Sequence, residues 1–295
     1  MKSYQGGVLF IDMLGFGALT NGHLTLGAVE CEPWKVDPNG ASPHQLIAAQ
    51  ILLAFRRALM RTKNAYKAVR VAQLSDAAFL WSEDIGALAD AGRYVMHEAA
   101  AMGLLCRGGL AIGGVHEPNK PNNSLGAFIV GDAVTRAVSH EGKGKGMRIF
   151  TDEDTVRHVL EARPDEVFTP LVDPQSGITI DEWQWYVPSP LLREDHGKNK
   201  LQSQIESLVT CHTMFRYSPK LSWSATTSEG RRQIACSVVA VSDAMQRLSR
   251  NKGNFGFSVE HLMLANQGRS ERTRQRVHET FVQELLRAIQ PKERK

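Results

Sequence analysis

The amino-acid sequence predicts an α+β protein with a ferredoxin-like core, in which helices pack on one face of a mainly antiparallel sheet. Two observations support this class. Up to residue 150 the strand-like and helix-like patterns follow the order β-α-β-β-α-β. Residues 69–84, VRVAQLSDAAFLWSED, combine strand-like apolar runs with a central turn, which is typical of a β-hairpin.

The first half of this core begins with a strand over residues 7–11, where the apolar residues are too dense for a half-exposed strand. Segment 21–43 is rich in glycine, proline and asparagine and predicts a loop. A helix from about 44 to 63 follows, opened by Ser42–Pro43. Four apolar residues recur on one face of this helix: Ile47, Ile51, Phe55 and Leu59.

The second half continues the alternation of helices and strands. Gly103 and Thr151 are expected to cap helices, at a C-terminus and an N-terminus respectively. The expected elements are a helix over 85–103, a strand over 104–115, a strand in GAFIVG that runs into a helix starting near Asp132, a strand over 147–150 and a helix over 152–162.

The rest of the chain predicts a helical extension of the core. TPLVD and WQWYV suggest a late pair of strands, and apolar stripes predict helices over 203–216, 233–249 and 271–289. We therefore expect a catalytic domain over 1–190 and a mainly helical segment over 191–295, which packs on the core or on a dimer partner.

The composition is that of an ordinary globular protein, with 42% apolar and 22% charged residues in 295. The longest apolar run, 46–60, is interrupted by Arg56 and Arg57, so no membrane span is expected. Without a signal-peptide pattern, the expected location is cytoplasmic. The four cysteines form no C-x-x-C pair, and the net charge of +4 is not gathered into one patch. Neither a zinc site nor a nucleic-acid partner is expected.

Two carboxylates stand at the ends of apolar strands. Asp12 interrupts VLFIDMLGFG, and Asp76 lies at the predicted hairpin turn in LSDAAFL. The first strand and the hairpin are neighbours in a β-α-β-β fold, so the two side chains can lie close together. Two adjacent carboxylates repel each other unless a cation lies between them. Oxygen ligands without cysteine or histidine favour Mg²⁺ or Mn²⁺.

The turn after Asp12 offers a second half to this site. Backbone N–H groups of residues 14–17, in the sequence LGFG, could hold phosphate oxygens beside the metal. The structural alternative is that each aspartate only forms a turn or caps a helix. The recurrence of the pattern at two neighbouring positions favours the metal site.

Four motifs in order resemble the class III nucleotidyl cyclases. They are FIDMLGF, LSDAAFL, CRGGLAIGGVHE and GAFIVGDAVTRAVSHE, and together they cover roughly residues 7–151. The resemblance implies that a ribose 3′-hydroxyl attacks the α-phosphate of a nucleoside triphosphate and that diphosphate leaves. It also implies two Mn²⁺ or Mg²⁺ ions and a homodimer with its active sites at the interface.

The resemblance assigns roles to individual positions. Asp12 and Asp76 correspond to the metal-binding aspartates, and Met13 would add a main-chain carbonyl. Backbone amides of Leu14, Gly15 and Phe16 would bind the triphosphate. Arg107 would bind the substrate or pair with a carboxylate of the dimer partner.

The chain departs from the purine cyclases at the positions that read the base and the ribose. Ala72 and Phe128 replace the polar base readers, and Thr135 and Ser139 replace an Asn and an Arg on the motif helix. Thr135 keeps a hydroxyl for the ribose. With these replacements and the residues of its motifs, the chain resembles the pyrimidine cyclases of the bacterial Pycsar antiphage systems. That resemblance implies a uridylate cyclase, or a cytidylate cyclase, whose cyclic UMP or cyclic CMP activates a separately encoded effector.

The sequence is also compatible with three alternatives. The first is a purine cyclase with unusual base readers, and the second is an inactive cyclase-like domain that senses a nucleotide. The third is a nucleic-acid-binding protein that uses the basic helix near Arg272. Candidate readers of a pyrimidine base are Tyr66, Arg70, Gln73 and residues of 21–43.

Overall fold

A seven-stranded sheet dominates the computed structural model of the chain. The structure describes residues 1–102, 104–120, 127–172, 177–186 and 232–240, the last without 234 and 238. The strands are β1 (Lys2–Met13), β2 (Arg70–Leu74), β3 (Ala77–Ser82), β4 (Cys106–Glu117), β5 (Ile149–Thr151), β6 (Phe168–Val172) and β7 (Thr179–Trp183).

Six α-helices accompany these strands in the part of the chain up to residue 186 that the structure describes. They are α1 (Phe16–Thr20), α2 (Ala28–Cys31), α3 (Pro43–Ala65), α4 (Ile85–Ala101), α5 (Asp132–Glu141) and α6 (Glu153–Ala162). A single 3₁₀ turn, Glu32–Trp34, follows α2. Among the described residues, no helix combines the length and the apolar character that crossing a bilayer requires.

The strand order confirms the predicted fold class. The sheet runs β2-β3-β1-β4-β5-β7-β6, and the first four strands pair in antiparallel fashion. This is the β-α-β-β-α-β arrangement of a ferredoxin-like core, since α3 and α4 make its two crossovers. β5 adds to β4 in parallel, and the β7–β6 pair extends the sheet. β6 matches the predicted TPLVD strand, whereas β7 lies before the predicted WQWYV strand and shares only Trp183 with it.

The sheet is covered on both faces, which corrects the expectation of helices on one face only. Along β1, Leu9 and Ile11 point into the large core formed with the apolar stripes of α3 and α4. Val8, on the opposite face, belongs to a second, smaller cluster with Ala133 and Ala137 of α5. Small side chains on α5 allow that helix to approach the sheet closely.

Several element boundaries differ from the predicted ones. The first strand starts at Lys2 rather than residue 7, and the predicted loop 21–43 contains α2 and the 3₁₀ turn. The segment before α5 makes only an isolated bridge between Val130 and His116 instead of a strand. Asp152, not Thr151, caps α6, because its carboxylate accepts from the Thr155 amide at 2.9 Å. The Thr151 hydroxyl instead donates to the Leu110 carbonyl at 2.8 Å.

The described part of the C-terminal segment touches the core. The Gly146 amide donates to Gln233 Oε1 at 2.6 Å, and the Met147 amide donates to the Ser237 hydroxyl at 3.0 Å. The expected helices 203–216 and 271–289 lie outside the described residues, as does Gly103, the expected cap of α4. The division of the chain at residue 190 stays a prediction.

Candidate active site

Asp12 lies at the end of β1, between two neighbouring strands. In the β-ladders it stands opposite Ala77 of β3 and opposite Arg107 of β4. The Met13 amide donates to the Asp76 carbonyl at 3.0 Å, so the end of β1 is held directly against the hairpin turn. The structure therefore brings the two predicted aspartates to the same place.

The hairpin turn that carries Asp76 has an unusual backbone. Ser75 has a φ of 57°, which lies in the left-handed region that a residue with a Cβ enters at some cost. The Gln73 side-chain amide donates to the Ser75 carbonyl at 2.9 Å. This bond stabilises the tight turn that places Asp76 at the tip of the hairpin, beside the end of β1.

The electrostatic surroundings of Asp12 are unfavourable to its charge. Only 25% of its side chain is exposed, and burial is the main cause that raises the pKa of Asp12 to about 6. The charges of Glu141 and Asp76 raise this pKa further, whereas Arg107 lowers it. Three carboxylates therefore share a site with one guanidinium, and the local negative charge exceeds the positive charge.

Glu141 is the functional candidate that the sequence motifs do not reveal. It ends α5 and forms an ion pair with Arg107 Nε, and both side chains are mostly buried. Burial raises the pKa of Glu141, while Arg107 opposes that shift. Arg107 Nη2 also lies 3.7 Å from Asp12 Oδ2. The small residues that recur along α5 indicate in the sequence that this helix packs closely on a neighbour. They do not show which strand it crosses, so they do not reveal the role of Glu141.

The turn after Asp12 connects β1 to α1, and its backbone amides have different surroundings. The Leu14 amide donates to the Leu105 carbonyl at 2.8 Å, so it is not available to a phosphate in this conformation. Gly15 has a φ of 80° and leads into α1, which begins at Phe16. Within the described residues, the amides of Gly15 and Phe16 donate to no backbone acceptor. Phosphate binding stays a prediction for the amides of Leu14, Gly15 and Phe16, and for Leu14 it would require the bond to the Leu105 carbonyl to open.

Ala72 and Phe128 lie on one groove of about 1200 Å³ beside the edge strand β2. The ring of Phe128 is largely exposed, at 55% for the residue. At the floor of the groove, Glu117 is buried, accepts from Trp81 Nε1 at 2.8 Å and forms an ion pair with Arg70. The groove thus combines apolar residues with this guanidinium–carboxylate pair, and the cationic Arg56, Lys63 and Lys67 also line it.

The other candidate base readers differ in their surroundings. Gln73 lines the groove, although its amide is already bonded within the hairpin turn. Tyr66 is half-buried and packs against Tyr94, with ring centroids 5.7 Å apart. Arg70 is therefore the candidate whose side chain presents a charge to the groove.

Thr135 lies apart from the carboxylates. It is exposed on α5, and its hydroxyl contacts the Gly131 carbonyl at 3.4 Å. The next residue, Arg136, donates to the Ile112 carbonyl, which is five positions along β4 from Arg107. Thr135 is therefore roughly 15 Å from Asp12 within one chain. Within one chain, Thr135 and Asp12 therefore do not lie side by side.

The donor set at the end of β1 suits a hard divalent cation. Two carboxylates and the main-chain carbonyl of Met13 are oxygen ligands of the kind that Mg²⁺ and Mn²⁺ bind. Negative charge exceeds positive charge around Asp12, and a bound cation would reduce the resulting repulsion. Among the described residues, no three His, Cys, Asp or Glu side chains lie close enough together to form a metal site alone. The remaining ligands would be main-chain oxygen, water or substrate phosphate.

Comparisons with known proteins return likenesses of fold only. No family model matches the chain. No curated protein matches it either. Among solved structures, the guanylyl cyclase Cya2 is 15% identical, with a TM-score of 0.44 over 62% of this chain and 91% of that one. A bacterial light-regulated adenylyl cyclase is 16% identical, with a TM-score of 0.44 over 65% and 95%.

A third likeness is to the guanylate cyclase domain of RhGC from Catenaria anguillulae in complex with GTP. It is 16% identical, with a TM-score of 0.41 over 62% of this chain and 97% of that chain. Because these TM-scores lie below 0.5, the likenesses carry no conclusion about the activity of this chain.

Proposed function

We propose that the protein is a divalent-metal-dependent nucleotidyl cyclase that converts UTP, or CTP, into the 3′,5′-cyclic nucleotide and diphosphate. The observation that supports this function is the juxtaposition of Asp12 and Asp76, which the bond between the Met13 amide and the Asp76 carbonyl holds in place. Their shared negative charge, the oxygen donors and the motif resemblance all fit a site for a metal–triphosphate complex.

In this proposal each residue has a defined task. Asp12, Asp76 and the Met13 carbonyl would hold one or two Mn²⁺ or Mg²⁺ ions. When bound, such ions lower the pKa of the ribose 3′-hydroxyl and neutralise charge on the phosphates. Arg107, which faces Asp12, contributes positive charge to the phosphate oxygens, and the amides of Gly15 and Phe16 donate to them.

The reaction balances without an oxidant or a co-reactant. The 3′-oxygen forms a bond to the α-phosphorus, and the bond from that phosphorus to the oxygen of the β-phosphate breaks. Diphosphate leaves, and the proton of the 3′-hydroxyl passes to solvent. Arg107 and the metal-binding carboxylates stay chemically unchanged, so the protein contributes position and charge.

The pyrimidine assignment depends on the groove beside β2. Ala72 and Phe128 supply an apolar wall and an aromatic ring, which can stack on a base but cannot provide a donor and acceptor pair for a purine. Arg70 can donate to a carbonyl oxygen, which both uracil and cytosine carry. The resemblance to Pycsar cyclases extends the proposal to a signal that activates a separately encoded effector in antiphage defence, produced by a homodimer.

One observation favours a second candidate, an inactive domain that binds a nucleotide as a sensor. Thr135 and Ser139 cannot supply the positive charge of the family's arginine. Arg136, the cation between them, already pairs with Asp152 and donates to the Ile112 carbonyl at 3.0 Å. A sensor would bind a nucleotide with Mn²⁺ and release no diphosphate.

The test is to incubate the purified protein with Mn²⁺ and each of the four ribonucleoside triphosphates and to identify the products by mass spectrometry. We expect a cyclic product from UTP or CTP that is lost in both Asp12→Ala and Asp76→Ala. Asp154→Ala is the matched control, since Asp154 is exposed on α6 and pairs only with Arg157 and His158 of the same helix. Product from ATP or GTP would assign a purine cyclase, and binding without product would assign the sensor.

A further inference from the structure

Arg107 stands between two carboxylates and contacts them unequally. Its Nε forms a direct ion pair with Glu141, whereas its Nη2 lies 3.7 Å from Asp12 Oδ2, beyond hydrogen-bond distance. The guanidinium therefore pairs with Glu141 and lies close to Asp12 without forming a hydrogen bond to it. The inequality is not imposed by the strands, because Asp12 and Arg107 are direct partners in the β1–β4 ladder.

The position of Glu141 follows from an unusually close helix–strand contact. A Cβ added to Gly109 of β4 would lie 2.0 Å from the Ala137 carbonyl oxygen and 2.6 Å from the Glu141 amide. A glycine at this position thus lets the last turn of α5 contact the β4 backbone. That contact brings the Glu141 carboxylate to the guanidinium of Arg107, two residues earlier on the same strand.

We propose that Glu141 is a positioning residue, which holds Arg107 back from Asp12 so that the Asp12 carboxylate stays open to a divalent cation. The inference rests on the proposed metal site and adds its regulation by a neighbouring ion pair. A guanidinium released from Glu141 needs to move by only about 1 Å to form a charge-assisted hydrogen bond with Asp12. It would then compete with the cation for the same oxygens.

The two charges therefore act on metal binding in opposite directions. Arg107 repels a cation at Asp12 and competes for the carboxylate, while Glu141 restrains Arg107 and adds negative charge of its own. Removing Glu141 alone should weaken metal binding. Removing both residues should restore it, because the competitor is then absent as well.

The experiment measures Mn²⁺ affinity without nucleotide, from the electron paramagnetic resonance signal of free Mn²⁺. The proteins are wild type, Glu141→Gln, Arg107→Gln and the double variant, which form a double-mutant cycle. We expect Glu141→Gln to weaken Mn²⁺ binding about tenfold, Arg107→Gln to bind at least as tightly as wild type, and the double variant to return within about threefold of wild type. Glu98→Gln is the matched control, because it breaks a Glu–Arg pair with Arg61 at the protein surface.

The outcomes separate this inference from the proposed function. If the wild type binds no Mn²⁺, or if Asp12→Asn binds as well as wild type, the metal site itself is wrong. If Glu141→Gln binds Mn²⁺ like wild type, or weakens binding equally with and without Arg107, Glu141 does not act through Arg107. If Glu141→Gln fails to fold, the Arg107→Gln result decides, since weaker binding than wild type would overturn the competition.

Discussion

Asp12 makes the metal-free protein less stable at neutral pH, because its charge is buried beside other carboxylates. Its pKa is about 6 in the folded chain against 3.8 for the free group. Between these values the folded state binds more protons than the unfolded state, so this group's contribution to stability falls as pH rises from about 4 to 6. Above pH 6 the penalty is complete.

Asp12→Asn, which resembles the protonated form, should therefore stabilise the protein in the presence of a chelator. We expect a gain of roughly 1–2 kcal/mol in the free energy of unfolding at pH 7.5, which shrinks as pH falls from 6 to 4. Urea unfolding at a series of pH values measures it. A variant less stable than wild type at pH 7.5 would contradict the electrostatic picture.

The sequence reveals those individual site residues that stand out from their immediate neighbours. Asp12 and Asp76 stand out because each is a charge in or beside an apolar strand. Glu141 does not, since its role depends on which strand α5 crosses and how closely. The hydrogen bond of the Leu14 amide is hidden from the sequence for a similar reason, because its acceptor, the Leu105 carbonyl, lies on a segment far away in sequence.

Among the elements, the contact between α5 and β4 is the one on which the candidate site depends most. Gly109→Ala should destabilise the protein by about 1–3 kcal/mol or more, because the new methyl group would meet backbone atoms of α5 that cannot move independently. Gly17→Ala is the control, since a Cβ there has no neighbour within 4 Å and α1 gains helix propensity. Thermal unfolding of both variants tests the contact, and equal melting temperatures would refute it.

Elements with a strong period were predictable and those set by tertiary contact were not. The apolar stripe in its sequence predicted both that α3 forms and which of its faces is buried, and Ile47 and Phe55 are indeed fully buried. The segment before α5 looks like a strand but makes one bridge only, between Val130 and His116. Its apolar residues partly cover the small cluster on the α5 side of the sheet instead, so burial alone did not identify a strand.

For the whole molecule, the topology separates the parts of the proposed site. The carboxylates gather where β1 meets the hairpin. Thr135 lies on the exposed surface of α5, roughly 15 Å from Asp12 in the direction of β4. A complete site within one chain would require α5 to slide along the sheet, which its close contact at Gly109 prevents. The homodimer that we propose, with two shared sites, would bring these parts together.

Shared sites predict complementation between inactive variants. In a heterodimer of Asp12→Asn and Thr135→Val, one site carries both defects and the other carries neither. Random pairing makes about half of the dimers mixed, so co-expressed subunits should recover about a quarter of wild-type activity, although each variant alone is inactive. Cyclic nucleotide production by the affinity-purified mixture measures this recovery.

The matched control for this complementation is a mixture of Asp12→Asn subunits with Asp76→Asn subunits. Both residues belong to the same half of the site, joined by the bond between the Met13 amide and the Asp76 carbonyl. Every site in such a heterodimer lacks one metal-binding carboxylate, so no activity should return. Recovery in this control, or none in the mixture of Asp12→Asn with Thr135→Val, would place Thr135 outside the partner's active site and remove the main argument for a shared one.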